Sequence, residues 1–358
     1  MDLFEVKSSF SGLADFNSHL AEITDDISNL HICIGITQFS ESEIINILSA
    51  RDFSIERLGE VHRIQKSYMD DDEVVNAGFY FYYHEDTHSD GGVLLFYTNQ
   101  RKTEEVENTV MKVLRNQRGV YYLHFGANLF RDIRESIRDN EDLAEITEFV
   151  ADRTEGSDRP CRIRPNTDRT IQYYAHDGWK TLEELEENYG VRPRYLVFNI
   201  PNILKFKISR DGIFSYHEGD LQTLFNYIEV AIVEALEVKE AFDSSGFEMV
   251  STTDELSVPT STPAQIELEK PIEFSEIDEI KSRMTEADYY IINSFEQEGS
   301  VHMSSKVYDE EREEKFRLKA TGDQISIYPQ KEEDDLGSFL RFHEFIQNNV
   351  DEEAEVDA

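Results

Sequence analysis

Four arginines within twelve residues are the first group in the sequence whose types and spacing suggest chemistry. The segment RPCRIRPNTDRT contains Arg159, Arg162, Arg164 and Arg169 and a single aspartate, in a chain whose formal net charge is −39. A guanidinium can donate two parallel hydrogen bonds to a phosphate. The two prolines favour an extended backbone, which would place Arg162 and Arg164 on one side. The segment indicates either a phosphate contact or local pairing with the many carboxylates of this chain.

Three strand-like segments share the pattern Tyr-x-His. Side chains alternate between the two faces of a strand, so one face of each segment is apolar and the other carries Tyr and His. Such flat side chains with a polar tip can stack on bases or pack against a protein partner. The alternative is that they are half-buried and covered by another domain. The residues predicted to form this binding face are Tyr80, Tyr82, His84, Tyr122, His124, Tyr174 and His176.

The other polar motifs give no argument for catalysis. The segment HEDTHSDGG, residues 84–92, alternates His and Asp as some metal sites do, but its two final glycines are typical of a polar turn. The sequence contains no Walker A, His-Glu-x-x-His, Cys-x-x-Cys or Gly-x-Ser-x-Gly motif. We therefore expect no metal and no cofactor, and a divergent nuclease or hydrolase is the weakest alternative.

Charge and apolar content narrow the class of protein. The chain has 74 acidic and 35 basic residues, and 39% of its residues are hydrophobic, which suffices for folded cores. A carboxylate-rich surface is typical of a salt-loving cytoplasm, where ions screen the repulsion. Mimicry of nucleic acid, or binding to a basic protein, is the alternative. Two cysteines cannot form a disulfide framework, and no run approaches 18 apolar residues, so we expect a cytoplasmic protein without membrane contact.

The segments that must position these side chains follow a repeated order. Residues 31–116 predict a strand, a helix, four strands and a helix, and the pattern of residues 264–350 predicts the same order. Residues 118–243 predict a longer copy, in which residues 127–150 form one long helix or two. Two similar hairpins in the second and third copies have Gly212 and Gly322 in their turns.

This order of elements resembles one lobe of the TATA-binding-protein fold, although no residue motif of that family accompanies it. The resemblance implies a curved antiparallel sheet that carries helices on its convex side and binds through its concave face. The sequence therefore predicts an α+β protein of three related β-α-β4-α units, each a curved antiparallel sheet with helices on one face. The predicted boundaries are a first unit at 1–117 with a leading helix, a second at 118–243, a linker at 244–263, a third unit at 264–350 and a disordered acidic tail at 351–358.

These features favour a non-catalytic binding protein. Nucleic acid is the expected partner, engaged by the Tyr-rich sheet face and the arginine segment, in transcription or genome maintenance. A protein–protein adaptor that uses the acidic surfaces is the competing class. The two differ in their response to salt, because phosphate contacts weaken as ionic strength rises whereas apolar contacts persist.

Overall fold

The apolar run at residues 31–37 forms the strand β1 at the centre of a large sheet. The computed structural model describes residues 3–24, 27, 29–70, 73–88, 90–141, 143–153, 161–164, 167–253, 256–298, 302–330 and 335–357. The chain divides into two units, one of Met1–Phe125 and Leu129–Ala235, the other of Gly126–Asn128 and Leu236–Ala358. Both are mixed α+β with antiparallel sheets, as the sequence predicts.

The first unit is built on an eleven-stranded sheet. Its strand order is β2-β3-β4-β5-β1-β11-β10-β9-β7-β8, and β6 pairs with β1 beside this path. The strands are β1 (His31–Thr37), β2 (Phe53–Leu58), β3 (Val61–Asp70), β4 (Glu73–Glu85), β5 (Gly92–Thr98), β6 (Val120–Tyr122), β7 (Glu145–Arg153), β8 (Arg169–Tyr174), β9 (Arg192–Ile200), β10 (Leu204–Ser209) and β11 (Ile213–Gly219).

Helices flank this sheet in chain order. The helix after β1 begins with a capping box, in which the Ser40 backbone N–H donates to Glu43 Oε2 at 2.9 Å, as predicted. The helices are α1 (Leu13–Glu22), α2 (Glu41–Ala50), a π-helical segment (Lys102–Met111) that continues as α3 (Lys112–Asn116), α4 (Ala127–Asn140), α5 (Gly178–Tyr189) and α6 (Leu221–Asp243).

The β1–β5 half of the sheet is covered on both faces. Residues paired across antiparallel strands share a face, so Tyr97 and Ile32 define face 1 whereas Phe96 and Cys33 define face 2. Face 2 packs against α2 and the Lys102–Asn116 helix in a continuous apolar core. Face 1 is covered by α1, whose Phe16 ring lies 5.1 Å from the ring of Tyr97. The prediction of helices on one face is wrong for this half, because the leading helix covers the second face.

The β7–β11 half is covered mainly on face 1. The ring of Phe206 in β10 stacks on Tyr227 of α6 at 5.6 Å, and Phe198 in β9 contacts Trp179 of α5 at 5.8 Å. Face 2 carries polar side chains such as Lys207 and Glu148 beside the buried Val197, and the edge strand β8 is half-buried or exposed along its length. This half therefore presents a polar sheet surface.

The second unit contains a six-stranded sheet of order β15-β16-β17-β18-β14-β19 and a separate hairpin of β12 and β13. Its first five strands follow the same order as β2-β3-β4-β5-β1 in the first unit. The elements are β12 (Gly246–Thr253), β13 (Leu256–Thr262), β14 (Ala264–Glu267), a 3-10 turn (Phe274–Glu276), α7 (Ile277–Glu286), β15 (Tyr289–Glu296), β16 (Met303–Asp309), β17 (Glu314–Ala320), β18 (Gln324–Tyr328), α8 (Leu336–Asn349) and β19 (Glu355–Asp357).

The predicted boundaries need three corrections. The predicted linker 244–263 contains β12 and β13, which pair from Gly246 with Thr262 onwards, because its Thr and Val residues also favour strands. The predicted tail 351–358 contains β19, which hydrogen-bonds to β14. The predicted units 1–117 and 118–243 contribute strands to one sheet, joined where β1 pairs with β11 and β6.

Candidate functional site

Two of the four predicted arginines have partners within the chain. Arg162 Nη2 lies 2.6 Å from Glu187 Oε1. Arg169 Nη2 donates to the carbonyl oxygens of Ile163 and Arg164 at 3.0 Å each, and its guanidinium lies 4.6 Å from the centre of the Tyr189 ring. These contacts favour local pairing over a phosphate contact for both side chains.

The other two predicted arginines are Arg164, which the structure describes, and Arg159. Arg164 is exposed, but its φ of 55° places it in the left-handed region, so the predicted extended backbone with Arg162 and Arg164 on one side is wrong here. Arg159 lies outside the described residues. Of the arginines that the structure describes in this segment, Arg164 is thus exposed, whereas Arg162 and Arg169 are engaged within the chain.

Tyr80 of the predicted Tyr-x-His face belongs to the core. It is 1% exposed on face 1 and its Oη donates to the carbonyl oxygen of Phe4 at 2.6 Å. Burial raises the pKa of Tyr80 to about 12. The prediction of a wet binding position is wrong for this residue, because α1 and the N-terminal segment cover the strand.

The remaining predicted Tyr and His side chains are split between the two faces. Tyr82 and His84 are half-buried on face 1, and burial lowers the pKa of His84. Tyr122 pairs with Gly35 and packs against the face 2 core, and the half-buried His124 follows it. Tyr122 cannot form one surface with Tyr82, because a sheet separates them.

The last predicted pair lies at the far edge of the sheet. Tyr174 in β8 is 65% exposed and is paired with Glu148 on face 2. His176 lies beyond the end of β8 and its Nδ1 is 2.8 Å from Glu145 Oε2. Of the tyrosines predicted for the binding face, Tyr174 is thus the broadly accessible one.

The His- and Asp-rich segment 84–92 joins β4 to β5. The Asp86 carboxylate accepts a hydrogen bond from the His88 backbone N–H at 2.8 Å, which is a turn contact. Across the described ranges, no group of three or more His, Cys, Asp or Glu side chains is placed to hold a metal ion.

The second unit carries a basic surface that the sequence analysis missed. Side chains alternate along β16 and β17, so that Val307, Phe316 and Leu318 are buried while their neighbours point outward. The ring of Phe316 lies 5.2 Å from Phe342 of α8, so the helices occupy the buried face. We call the opposite side the basic sheet face, and its cations are Lys306, Lys315, Arg317 and Lys319.

The strand register aligns these cations with aromatic side chains in three cross-strand rows. Paired residues lie about 5 Å apart in neighbouring strands, so each row is a continuous ridge. Two of the aromatic side chains lie on the edge strand β15, where Phe295 is 62% exposed and Tyr290 is 45% exposed. The rows are Tyr290-Tyr308-Lys315, Lys306-Arg317-Tyr328 and Phe295-Ser304-Lys319-Ser326.

Among the residues that the structure describes, the cations of the basic sheet face form no ion pair with a carboxylate. Lys315 Nζ lies 5.9 Å from the centre of the Tyr308 ring, and Arg317 Nη2 donates to Ser304 Oγ at 3.4 Å. Within the described part of the chain, no carboxylate oxygen lies within 4.0 Å of the charged nitrogens of these four residues. The protein as a whole has 39 more acidic than basic residues, so this face differs in charge from the average of the chain.

A signal in the sequence could have identified this face. In EKFRLKA the basic residues Lys315, Arg317 and Lys319 recur at every second position between apolar residues. Period-two alternation places them on one side of a strand, which is the pattern of a half-buried strand with a basic outer face.

Comparisons with known proteins give a limited match. A protein-family model described as a family middle domain matches residues 129–211 of the 358. An uncharacterized protein of Archaeoglobus fulgidus is 22% identical over 272 residues, which cover 73% of this chain and 73% of the relative. Of the helices in the described ranges, none has both the length and the apolar content needed to cross a bilayer.

Proposed function

We propose that the protein is a non-catalytic binding protein that engages single-stranded nucleic acid on the basic sheet face of its second unit. The observation that carries the proposal is the set of four cations, interleaved with exposed aromatic rings and without carboxylate partners among the described residues. Cations meet phosphates, and aromatic rings stack on unpaired bases, so the two residue types together match single strands.

The dimensions of the face agree with this ligand. Neighbouring strands are about 5 Å apart, so the rows from β15 to β18 span a width on the order of 15 Å. Lys306 and Arg317 lie in the middle row, with Tyr290 and Phe295 at the β15 edge. A strand of nucleic acid crossing the sheet would have phosphates over the centre and bases over the edge.

The acidic surface limits where nucleic acid can bind. Charges farther away than about 10 Å are largely screened at 0.1 M salt, whereas contact pairs are screened less. The remaining acidic surface therefore repels phosphates in dilute buffer and disfavours sites at which carboxylates surround the ligand. A salt-rich cytoplasm, which the composition favours, would reduce this repulsion and is the setting that we propose.

We further propose that residues 1–117 and 264–350 are related copies, with 118–243 as a divergent third. The strand order β15-β16-β17-β18-β14 matches β2-β3-β4-β5-β1. A helix follows β14 and β18, as one follows β1 and β5. In the first unit the surface corresponding to the basic sheet face is covered by α1. The C-terminal copy would then keep this surface accessible, unlike the first copy.

Oligonucleotide binding tests the proposal. A labelled single-stranded 20-mer would be titrated with the full chain at salt concentrations between 0.15 and 1 M. Fluorescence anisotropy of the label would measure binding at each concentration. We expect Lys315→Gln with Arg317→Gln to weaken binding roughly tenfold or more and to reduce the salt slope by about 1.4. Both side chains are exposed, so the melting temperature should hardly change.

The matched control removes the same charge elsewhere. Arg162→Gln with Arg164→Gln also deletes two exposed cations, and we expect it to leave affinity and salt slope unchanged. An equal loss in both double variants would indicate a nonspecific charge effect. No measurable binding by the unaltered chain, or no loss in the Lys315 and Arg317 variant, would overturn the proposal.

A protein–protein adaptor is the second candidate, and one observation favours it. The edge strand β15 exposes Ile292 at 54% and Phe295 at 62%, which suits an apolar contact. Such binding should persist in molar salt and should be lost on Phe295→Ser. Pull-down with the full chain at 0.15 and 2 M salt distinguishes this contact from phosphate binding.

A further inference from the structure

A second polar site lies on face 2 of the first unit, on a cross-strand row. His31 of β1 is paired with Ser215 of β11, which is paired with Lys207 of β10. The row continues through Val197 and Glu148 to Tyr174 at the sheet edge. His31 and Lys207 are therefore two strands apart on the same face, about 10 Å between backbones.

Lys207 is the centre of this site. Its side chain is half-buried and its Nζ lies 3.3 Å from the centre of the Tyr195 ring. Among the described residues, no carboxylate oxygen lies within 4.0 Å of that nitrogen. Burial, and then the charge of Lys102, lower the pKa of Lys207. An ammonium has three donors, and a ring face satisfies only part of this capacity.

Two further donors are directed to the same surface. Lys102 Nζ donates to Ser209 Oγ at 3.0 Å, and Ser209 is two residues beyond Lys207 on the same face of β10. His31 Nδ1 lies 2.8 Å from Ser215 Oγ, which leaves Nε2 as the ring atom available to a ligand. The two serine hydroxyls thus fix the orientation of the two basic side chains.

The nearby carboxylates are engaged elsewhere. Glu148 Oε1 accepts a hydrogen bond from Tyr195 Oη at 2.7 Å. Asp211 lies 3.9 Å from Lys102 Nζ and also 3.9 Å from Arg115 Nη2, so one carboxylate is shared between two cations. The charge of Glu148 acts on Lys207 against the effects of burial and of Lys102, but the pKa of Lys207 is still lowered, and an anion on this surface would add a further compensating charge.

We propose that Lys207, Lys102 and His31 form a binding site for a phosphate group. The two ammonium groups and the ring N–H lie on face 2 close enough for their charges to influence one another, and their several donors suit a compact anion with several acceptor oxygens better than a planar carboxylate. This site belongs to the first unit and is independent of the basic sheet face of the second.

Calorimetric titration of the full chain with inorganic phosphate, at constant ionic strength set by chloride, tests the site. We expect saturable binding that Lys207→Gln weakens at least tenfold, while Lys180→Gln, an exposed lysine on α5, leaves it unchanged. As a second readout, phosphate should raise the pKa of His31, which an NMR titration of its ring would measure. Absence of saturable binding, or equal affinities in the two variants, overturns the site.

A second arm identifies the source of the phosphate. A nucleoside monophosphate that competes with inorganic phosphate for the same variant-sensitive site indicates a nucleotide ligand. If only inorganic phosphate binds, the free ion is the ligand. A third outcome is that neither inorganic phosphate nor the nucleotide binds, while Lys207→Gln weakens the binding of a single-stranded oligonucleotide. This surface would then be part of a nucleic-acid-binding surface, and the separate phosphate site would be rejected.

Discussion

Arg341 Nη1 donates to Asp309 Oδ1 at 2.7 Å, and the side chain of Asp309 is completely buried. The same carboxylate oxygen accepts the backbone N–H groups of Glu311 and Arg312, and the guanidinium lies over the Tyr289 ring at 4.5 Å. Burial nevertheless raises the pKa of Asp309, with the charge of Arg341 opposing it. The pair therefore joins α8 to the end of β16 at a high desolvation cost.

Removing the cation of this pair should strongly destabilise the protein. Arg341→Met leaves a buried carboxylate without its partner, so we expect the free energy of unfolding to fall by about 3–5 kcal/mol. Urea unfolding measures the change. Arg57→Met removes an exposed ion pair with Glu60 at 3.7 Å and should cost about 0–1 kcal/mol. Similar values for the two variants would contradict a buried, paired Asp309.

The two hairpin glycines should respond differently to alanine. Gly212 has a φ of 67°, and a Cβ there would lie 2.4 Å from the carbonyl oxygen of Leu123, whereas Gly322 has no positive φ and no atom closer than 3.8 Å to its Cβ position. We expect Gly212→Ala to cost about 1–3 kcal/mol and Gly322→Ala less than about 0.5 kcal/mol. Thermal unfolding of the two variants checks this. Equal losses would show that the turns are alike.

His31 should make stability depend on pH in a defined window. Burial, followed by the charges of Lys102, His217 and Lys207, lowers its pKa from 6.5 to about 4. The unfolded chain then binds the proton more readily than the folded one, so stability is retained above pH 6.5 and lost as pH falls from 6.5 towards 4.

The substitution His31→Gln isolates this contribution. It should flatten the pH dependence of the free energy of unfolding between pH 4 and 6.5, in comparison with the unaltered chain. NMR titration of the ring checks the pKa directly. A value near 6.5 in the folded protein would contradict the prediction.

Salt should stabilise the whole chain. About 39 uncompensated negative charges repel one another in dilute buffer, and added ions screen that repulsion. We therefore expect the melting temperature to rise between 0.02 and 1 M NaCl. Sucrose at matched water activity serves as the control for a general solvent effect. An unchanged melting temperature would remove the argument for a salt-rich environment.

The sequence predicts local elements well where apolar periodicity is clean. The strand at residues 31–37 and the capping box at Ser40 occur as predicted. The prediction of helix throughout residues 127–150 is wrong, because α4 ends at Asn140 and β7 begins at Glu145. In EITEFVADR the charged residues resemble a helical surface, but Ile146, Thr147 and Val150 favour a strand.

The candidate site was harder to predict, because alternation gives the two faces of a strand but not what covers each of them. Tyr80 and Arg317 are alike in this respect, since each alternates with apolar neighbours along its strand. Tyr80 is nevertheless covered by α1 and the N-terminal segment, whereas Arg317 is exposed. Whether a strand face is covered depends on segments that are distant in sequence. Tyr80, for example, donates a hydrogen bond to the carbonyl oxygen of Phe4. Local spacing contains no information on such contacts.

The two outer strands of the six-stranded sheet also determine how copies of the protein could associate. β19 is three residues long and carries Glu355 and Asp357, so like charge and short length oppose pairing with another chain. β15 is longer and more apolar, and its register is irregular between Ile291 and Asn293. Within the six-stranded sheet, strand addition is thus favoured at the β15 edge over the β19 edge. Two copies joined through β15 would leave the acidic β19 strands as the outer edges of the joined sheet, which opposes further growth of that sheet.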